Sequence, residues 1–592
     1  MPDSYFKTSK DKILKVMQTA LGELPADLAI INGDVVNVYT GEILPRQTVL
    51  VKDGTIAYIG DKAPAAAIRP DTKVIDASGK TIIPGFIDGH THVEEPWLVD
   101  EFTQYALKSG MTTVITEVAD IGTITGYRGI TAYMKMCRHQ PVRYFFTIPP
   151  SVLAGLGNTR PSALTPEELK RLLRRPDVLG LGELPWNQCN EAHPRLLEMI
   201  AAAINTGKKV EGHSAGAHNS KLQAYFSTGT SSCHEPITVA EVLERLRLGI
   251  FVMVREGVVR KELAEVAKIK DAQIDFSLLG ICSDGVDPRQ LVNDGYMNFL
   301  VRKLINYGFD PVRAIQMATL NVARHFGLEF LGGIAPGKLA DIVIIPDLKT
   351  IRPVDVIVNG EIKVRNGQLS AAPEKAPVPR VLLNTIRLKK DFIPGDFHIR
   401  TSGNTPVKVR VMTMVSDLLT REARFEMTPD NGLLEADVSR DILKVAVIER
   451  YSTPGKKALG FIQGFGFKRG AIAASTLWDG GNIGVIGTND ADMALAVNRI
   501  RELQGGIVIC AGGKILTEFA LPIIGLCTDK TMEFIAGKFN EIQQTAESLG
   551  TKLPMVQMSL RVLTTPFIPF FRMSEEGYFD LSKNEVVGLV VA

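Results

Sequence analysis

Two histidines one residue apart, His90 and His92, close the run Ile87-Asp88-Gly89-His90-Thr91-His92. In an extended strand residues two apart point to the same side, so both imidazoles can reach one metal ion. Alone the pair is a weak signal, since His-x-His also arises by chance on surfaces. Further ligands at later strand ends would make it a metal centre. Glu183 follows Leu179-Gly180-Leu181-Gly182, His213 follows Val210-Glu211-Gly212, His234 follows Ser231-Ser232-Cys233, and Asp284 follows Leu279-Gly280-Ile281-Cys282-Ser283. Each has a plainer reading: a lone buried histidine is more often a satisfied core residue, Glu183 alone could cap a helix, and Asp284 alone could sit in a turn. Their common place at or just past a strand end favours ligation, and together the six would supply a binuclear site. His139, His193, His218, His325 and His398 fall in helices, loops or the later part of the chain and are read as structural.

Those strand ends need a scaffold. Between residues 84 and 332 short buried strands (Thr113-Val114-Ile115, Val178 to Leu181, Val210-Glu211-Gly212) alternate with helical stretches such as Pro166 to Leu173 and Val239 to Leu246. Repeated βα units over that length predict an α/β fold, a (β/α)₈ TIM-like barrel. Residues 24–83 and 333–370 carry β patterns punctuated by Asn32-Gly33, Asp53-Gly54 and Asn359-Gly360, read as hairpin turns because both residues tolerate positive φ. The two segments are expected to join in one composite β-sandwich domain. Residues 1–23 have the spacing of an amphipathic helix, residues 371–381 read as a proline-rich linker, and residues 382–592 form a third, α+β domain.

The chain of 592 residues is long enough for such a multidomain plan. At 45% hydrophobic, 22% charged and a net charge of +2 it lacks the basic excess of a nucleic-acid binder. The six cysteines are scattered singly, which fits a reducing cytoplasm rather than a disulfide framework or zinc ribbon. The apolar stretch from Gly506 to Cys527 is broken by Lys514, Glu518 and Pro522, so no membrane span is expected.

Pro84 to His92 matches the opening signature of the amidohydrolase superfamily and Gly333 to Asp341 its closing one. Gly180-Leu181-Gly182-Glu183, Gly212-His213-Ser214-Ala215-Gly216, Cys233-His234-Glu235, Arg255-Glu256-Gly257, Met317 to Asn321, Gly464 to Ala473 and Gly487 to Met493 are more specific. On these motifs nearly the whole chain resembles the bacterial adenine deaminases. The resemblance implies a hydrolytic deaminase of purine salvage, a small-molecule purine substrate and a homo-oligomer. It also implies two divalent metals, most often manganese, with iron or zinc suited as well. Glu183 would bridge the metals, Asp284 would bind one and take the proton of the nucleophilic water, and Glu235 would shuttle protons. Arg255 and Glu256 could read the purine edge or form a plain ion pair supporting a loop; Glu117 and Asp120 share that ambiguity. The chain departs from the family at Ala119, where a histidine is usual, and at Gly285, Tyr296, Trp478 and Gly481. Another amino-heterocycle or a cyclic amide is the rival substrate, and a non-catalytic assembly protein the rival of another class.

Overall fold

The computed structural model describes residues 8–152, 162–388, 391–451, 455–566, 568 and 570–591. Eight short strands form the central unit: β1 (Phe86–Thr91), β2 (Met111–Glu117), β3 (Arg143–Ile148), β4 (Val178–Pro185), β5 (Lys209–His213), β6 (Ser232–Cys233), β7 (Phe251–Arg255) and β8 (Leu279–Cys282). β1 to β5 pair in chain order in one parallel sheet, and β6 to β8 in another. Single backbone bonds bridge the two gaps: Ser231 N–H donates to the Val210 carbonyl at 2.9 Å, and Asp284 N–H to that of His90 at 3.1 Å. The curled parallel sheet with helices between its strands fits a TIM-like barrel.

Buried apolar side chains fill the interior, among them Ile87, Ile115, Phe145, Leu179, Phe251 and Met253. Helix Leu320–His325 adds Val322 and Ala323 to this core. Packing is tight enough that a Cβ on Gly89 would lie 2.7 Å from the Met253 sulfur and 3.0 Å from Val322. With its interior filled, the barrel can bind a ligand only at its rim.

A nine-stranded sheet unites chain from both sides of the barrel, for Ile342–Ile345 pairs antiparallel with Thr81–Pro84. Asp53-Gly54 and Asn359-Gly360 form two-residue turns with positive φ at both positions (48° and 72°; 52° and 79°), the geometry that matches strand twist. Asn32-Gly33 does not. The expected hairpin is instead an irregularity inside the single strand Leu28–Asn37, where the register with its partner shifts between Ile30 and Gly33. A Cβ on Gly33 would lie 2.5 Å from Ile82, so this glycine serves close packing rather than a chain reversal.

The first helix spans Lys10–Ala20, capped by the Ser9 hydroxyl, which accepts from Lys12 N–H at 3.1 Å; residues 1–7 lie outside the described residues. The later part of the chain builds an eight-stranded sheet flanked by helices Asp490–Leu503 and Met532–Ser548. Its strands Gly506–Ala511 and Lys514–Ala520 form a hairpin from the apolar stretch noted above. Among the described residues no helix is long and apolar enough to cross a membrane. The later sheet and its helices dock on the barrel segment after β1: Thr528 N–H donates to the Pro96 carbonyl at 3.0 Å and Met532 N–H to Glu101 at 2.7 Å.

Candidate metal centre

The strand ends bring the six expected ligands together. His90 Nε2 lies 3.1 Å from Glu183 Oε1 and 3.3 Å from Asp284 Oδ1, while His92 Nε2 lies 3.5 Å from the same Asp284 oxygen. From the other side His234 Nε2 approaches Glu183 Oε1 to 2.8 Å and His213 Nδ1 to 3.6 Å. Glu183 is thus the shared centre of the cluster. His90, Glu183, His234 and Asp284 have donor atoms close enough for one cation, and His213, His234 and Glu235 form a second such group.

The donor set fits metal ions. His90 Nε2 and His234 Nε2 are buried without a hydrogen-bond partner, and each points at carboxylate oxygens. A buried imidazole nitrogen left unbonded is costly unless something binds it. Three carboxylates, Glu183, Glu235 and Asp284, stand at the centre and Arg255 pairs with the last two, leaving negative charge at Glu183 that divalent cations would offset. Burial opposes charge on either ring, yet Asp284 and Glu183 outweigh it at His92 and Glu235 and Glu183 at His213, lifting both to about 9. Burial likewise pushes the Glu183 and Asp284 carboxyls up, but contacts with the surrounding histidines hold both well below the usual carboxylate range.

Arg255, at the end of β7, clamps the acids. Its guanidinium pairs with Glu235, donates to Asp284 Oδ2 at 3.1 Å and to Glu262 Oε2 at 3.2 Å. Arg255 lines the cavity above the centre but is committed to these three carboxylates. The expected edge-reading role of Glu256 finds no support in its placement: it accepts from Leu263 N–H at 3.2 Å and pairs with Lys303, outside the cavity lining. It has the loop-supporting geometry that was the alternative.

Glu117 and Asp120 both line the cavity. Glu117 Oε1 accepts from Glu183 N–H at 2.7 Å, and burial followed by the Glu183 charge pushes its carboxyl up to about 7. Asp120 N–H donates to Glu94 at 2.9 Å. Ala119 lines the wall, and Gly285 adopts φ 93°. Of the histidines read as structural, His218 contacts Glu244 at 3.0 Å on the surface and His325 meets Glu211 at 3.0 Å; neither belongs to the ligand cluster.

Several contributors were missed from sequence. Asp88 is a buried hub: its carboxylate accepts from Ser283 Oγ at 2.6 Å, Tyr296 hydroxyl at 2.7 Å and His90 N–H at 3.2 Å. It ties the strand that carries His90 to the turn that carries Asp284. The Asp-x-His spacing was the available signal. Trp478, Asp479, Thr565 and Ile568 complete the cavity, which spans about 820 Å³ with its mouth included.

Residues 81–363 match the amidohydrolase family and residues 417–585 the adenine deaminase C-terminal domain. An adenine deaminase of Moorella thermoacetica is 35% identical over 584 residues, covering 97% of this chain and 98% of that protein. Adenine deaminase 3 of Rhizobium meliloti is 34% identical over 588 residues, 98% of either chain. Among solved structures, a beta-aspartyl dipeptidase of Fervidobacterium islandicum AW-1 aligns with a TM-score of 0.46 and 18% identity, over 58% of this chain and 97% of that one.

Proposed function

The chain belongs to the adenine deaminase family, and from that premise we propose that it converts adenine and water to hypoxanthine and ammonia by metal-assisted hydrolysis. The convergence of His90, His92, Glu183, His213, His234 and Asp284 on one rim, inside a cavity, carries the reading. These six side chains would hold two divalent ions, manganese being our assignment and iron or zinc also compatible with the ligands. A divalent ion held there would lower the pKa of a water toward neutrality and so supply a nucleophile without a strong base.

The chain's own groups handle protons. Asp284 and Glu235 are held side by side by Arg255, both as carboxylates. Asp284 accepts one proton of the attacking water, later returned to the leaving amino nitrogen, and Glu235 takes up the other and delivers it to the ring nitrogen N1. As the C6–oxygen bond forms and the bond to the amino group breaks, a proton passed to that nitrogen lets it leave as ammonia. Arg255 is a positioning residue in this scheme, fixing the two carboxylates relative to each other.

Loading the purified chain with manganese and supplying adenine, guanine, cytosine and other amino-heterocycles tests the reading. Ammonia and hypoxanthine from adenine, lost after chelation and restored by manganese, is the expected result. No turnover of adenine refutes the assignment.

A further inference from the structure

The floor of the cavity comes from strand ends, but part of its wall comes from the C-terminal domain, through Trp478, Asp479 and Thr565. The loop that presents them is pinned on all sides. Trp478 N–H donates to the Arg561 carbonyl at 3.0 Å, and the Thr564 hydroxyl donates to the Trp478 carbonyl at 2.7 Å. The indole N–H donates to Glu95 at 3.3 Å, and the Arg561 guanidinium both pairs with Glu95 and lies 4.8 Å over the indole ring. Glu95 follows His92 by three residues, so the brace ties this loop to the segment that carries the first two ligands.

Within that frame Asp479 takes a left-handed backbone with φ 57°, a conformation that aspartate tolerates better than most side chains. Gly481, at φ 52°, has no room for more: a Cβ there would lie 2.7 Å from the Tyr451 hydroxyl and 2.9 Å from Ile124 of the barrel. The Thr565 hydroxyl donates to Asp479 Oδ2 and orients the carboxylate in the cavity wall. Asp479 stands outside both groups of donor atoms that could share a cation, though it is buried close enough to feel the charges of Glu183, His92 and His213. It suits a substrate donor.

Adenine's reacting carbon is in the six-membered ring, and its only ring N–H is in the five-membered ring at the other end of the molecule. Glu235, Asp284 and Asp479 line one cavity, so a purine with C6 at the first two can set its ring N–H against the third. We infer that Asp479 accepts a hydrogen bond from the imidazole-ring N–H of the purine, so that the C-terminal domain selects the free base over N9-substituted purines. The inference rests on the deaminase reading above. A 9-alkylated purine lacks the donor and sets a carbon against a buried acceptor, a mismatch that hydrogen-bonding sites reject strongly.

The test measures kcat/KM of the manganese-loaded full chain for adenine and 9-methyladenine, with metal content on the same samples. Wild type should prefer adenine by at least about 10-fold, the scale of one hydrogen bond to a charged group. Asp479→Ala should lose about 10- to 100-fold on adenine, mainly through KM, and little on 9-methyladenine, with metal retained. Asp479→Asn, which also tolerates the left-handed backbone, should show the same order with a smaller amplitude. If wild type deaminates adenine while both variants keep its preference, or lose both substrates equally, Asp479 is not the reader. If wild type deaminates neither, the deaminase reading falls and this inference with it.

Discussion

Replacing Gly182 with alanine should cost far more activity than stability. The residue precedes Glu183 on β4 and has no positive φ that would demand glycine. What it lacks is space: a Cβ would stand 2.2 Å from Glu117 Oε1 and 2.7 Å from its Cδ. Ordinary contact requires a displacement of about 1 Å. The Glu117 carboxylate is no loose end, since it accepts from Glu183 N–H at 2.7 Å and from the Thr147 hydroxyl at 3.4 Å. Either Glu117 leaves these donors or β4 shifts and takes Glu183 with it. Overpacking of this kind costs about 1–3 kcal/mol, offset by about 0.5–1 kcal/mol because alanine restricts the unfolded chain. The net loss in a urea titration should be about 0–2.5 kcal/mol. A misplacement of about 1 Å in a catalytic group can cost about 100-fold in rate, so kcat/KM for adenine should fall by that order. The stability loss should shrink in a Glu117→Ala background, where the space is open. Wild-type activity with full metal content in G182A, or an undiminished penalty in the double variant, would refute the reasoning.

Arg255→Gln leaves Glu235, Glu262 and Asp284 buried without their shared cation and should destabilise the metal-free chain by about 3–5 kcal/mol in denaturant titrations. Burial pushes the Glu235 carboxyl up, but Arg255, His213 and His234 hold it below its ordinary value. A depressed folded pKa contributes stability above the unfolded value of about 4.3 and loses it as pH falls. The acid-side loss seen in the wild-type apoprotein should therefore flatten in R255Q; an unchanged pH profile counts against the clamp. Tyr296→Phe removes one donor from Asp88, whose carboxyl burial already pushes up to about 6. We expect about 1–3 kcal/mol lower stability and a roughly tenfold weaker hold on metal in a chelator competition. An unaltered metal affinity would show that Asp88 does not steady His90.

What could be read from the residues, and what could not, divides along the range of the interactions. His90, His92, Glu183, His213, His234 and Asp284 were legible because each follows a short apolar strand, and strand periodicity is local. Asp53-Gly54 and Asn359-Gly360 were legible as turns for the same reason. Asn32-Gly33 misled because the dipeptide suits a bulge as well as a hairpin, and only the closeness of Ile82 on the neighbouring strand decides between them. Glu256 stayed open between two readings because a strand-end acid next to Arg255 gives no hint of Lys303, 47 residues on. Asp88 showed in the sequence only as the acid of an Asp-x-His run; its hub role did not, because its partners Ser283 and Tyr296 lie 195 and 208 residues away.

The C-terminal domain extends that argument to function. Nothing in Trp478-Asp479-Gly480-Gly481 taken alone distinguishes a surface turn from a cavity wall, for a left-handed aspartate followed by glycines suits either. Its place follows from contacts that no local pattern encodes: Trp478 with Glu95 across 383 residues, and Thr528 with Pro96. These contacts join the segment just after His92 to the domain that closes the cavity. The ends of five strands and a braced loop therefore meet at one cavity, and on the inference above metal binding and substrate choice are set by different domains. Substitutions in the Glu95–Arg561–Trp478 brace should change KM and substrate preference while leaving metal content intact, whereas substitutions at Glu183 or Asp284 should remove both.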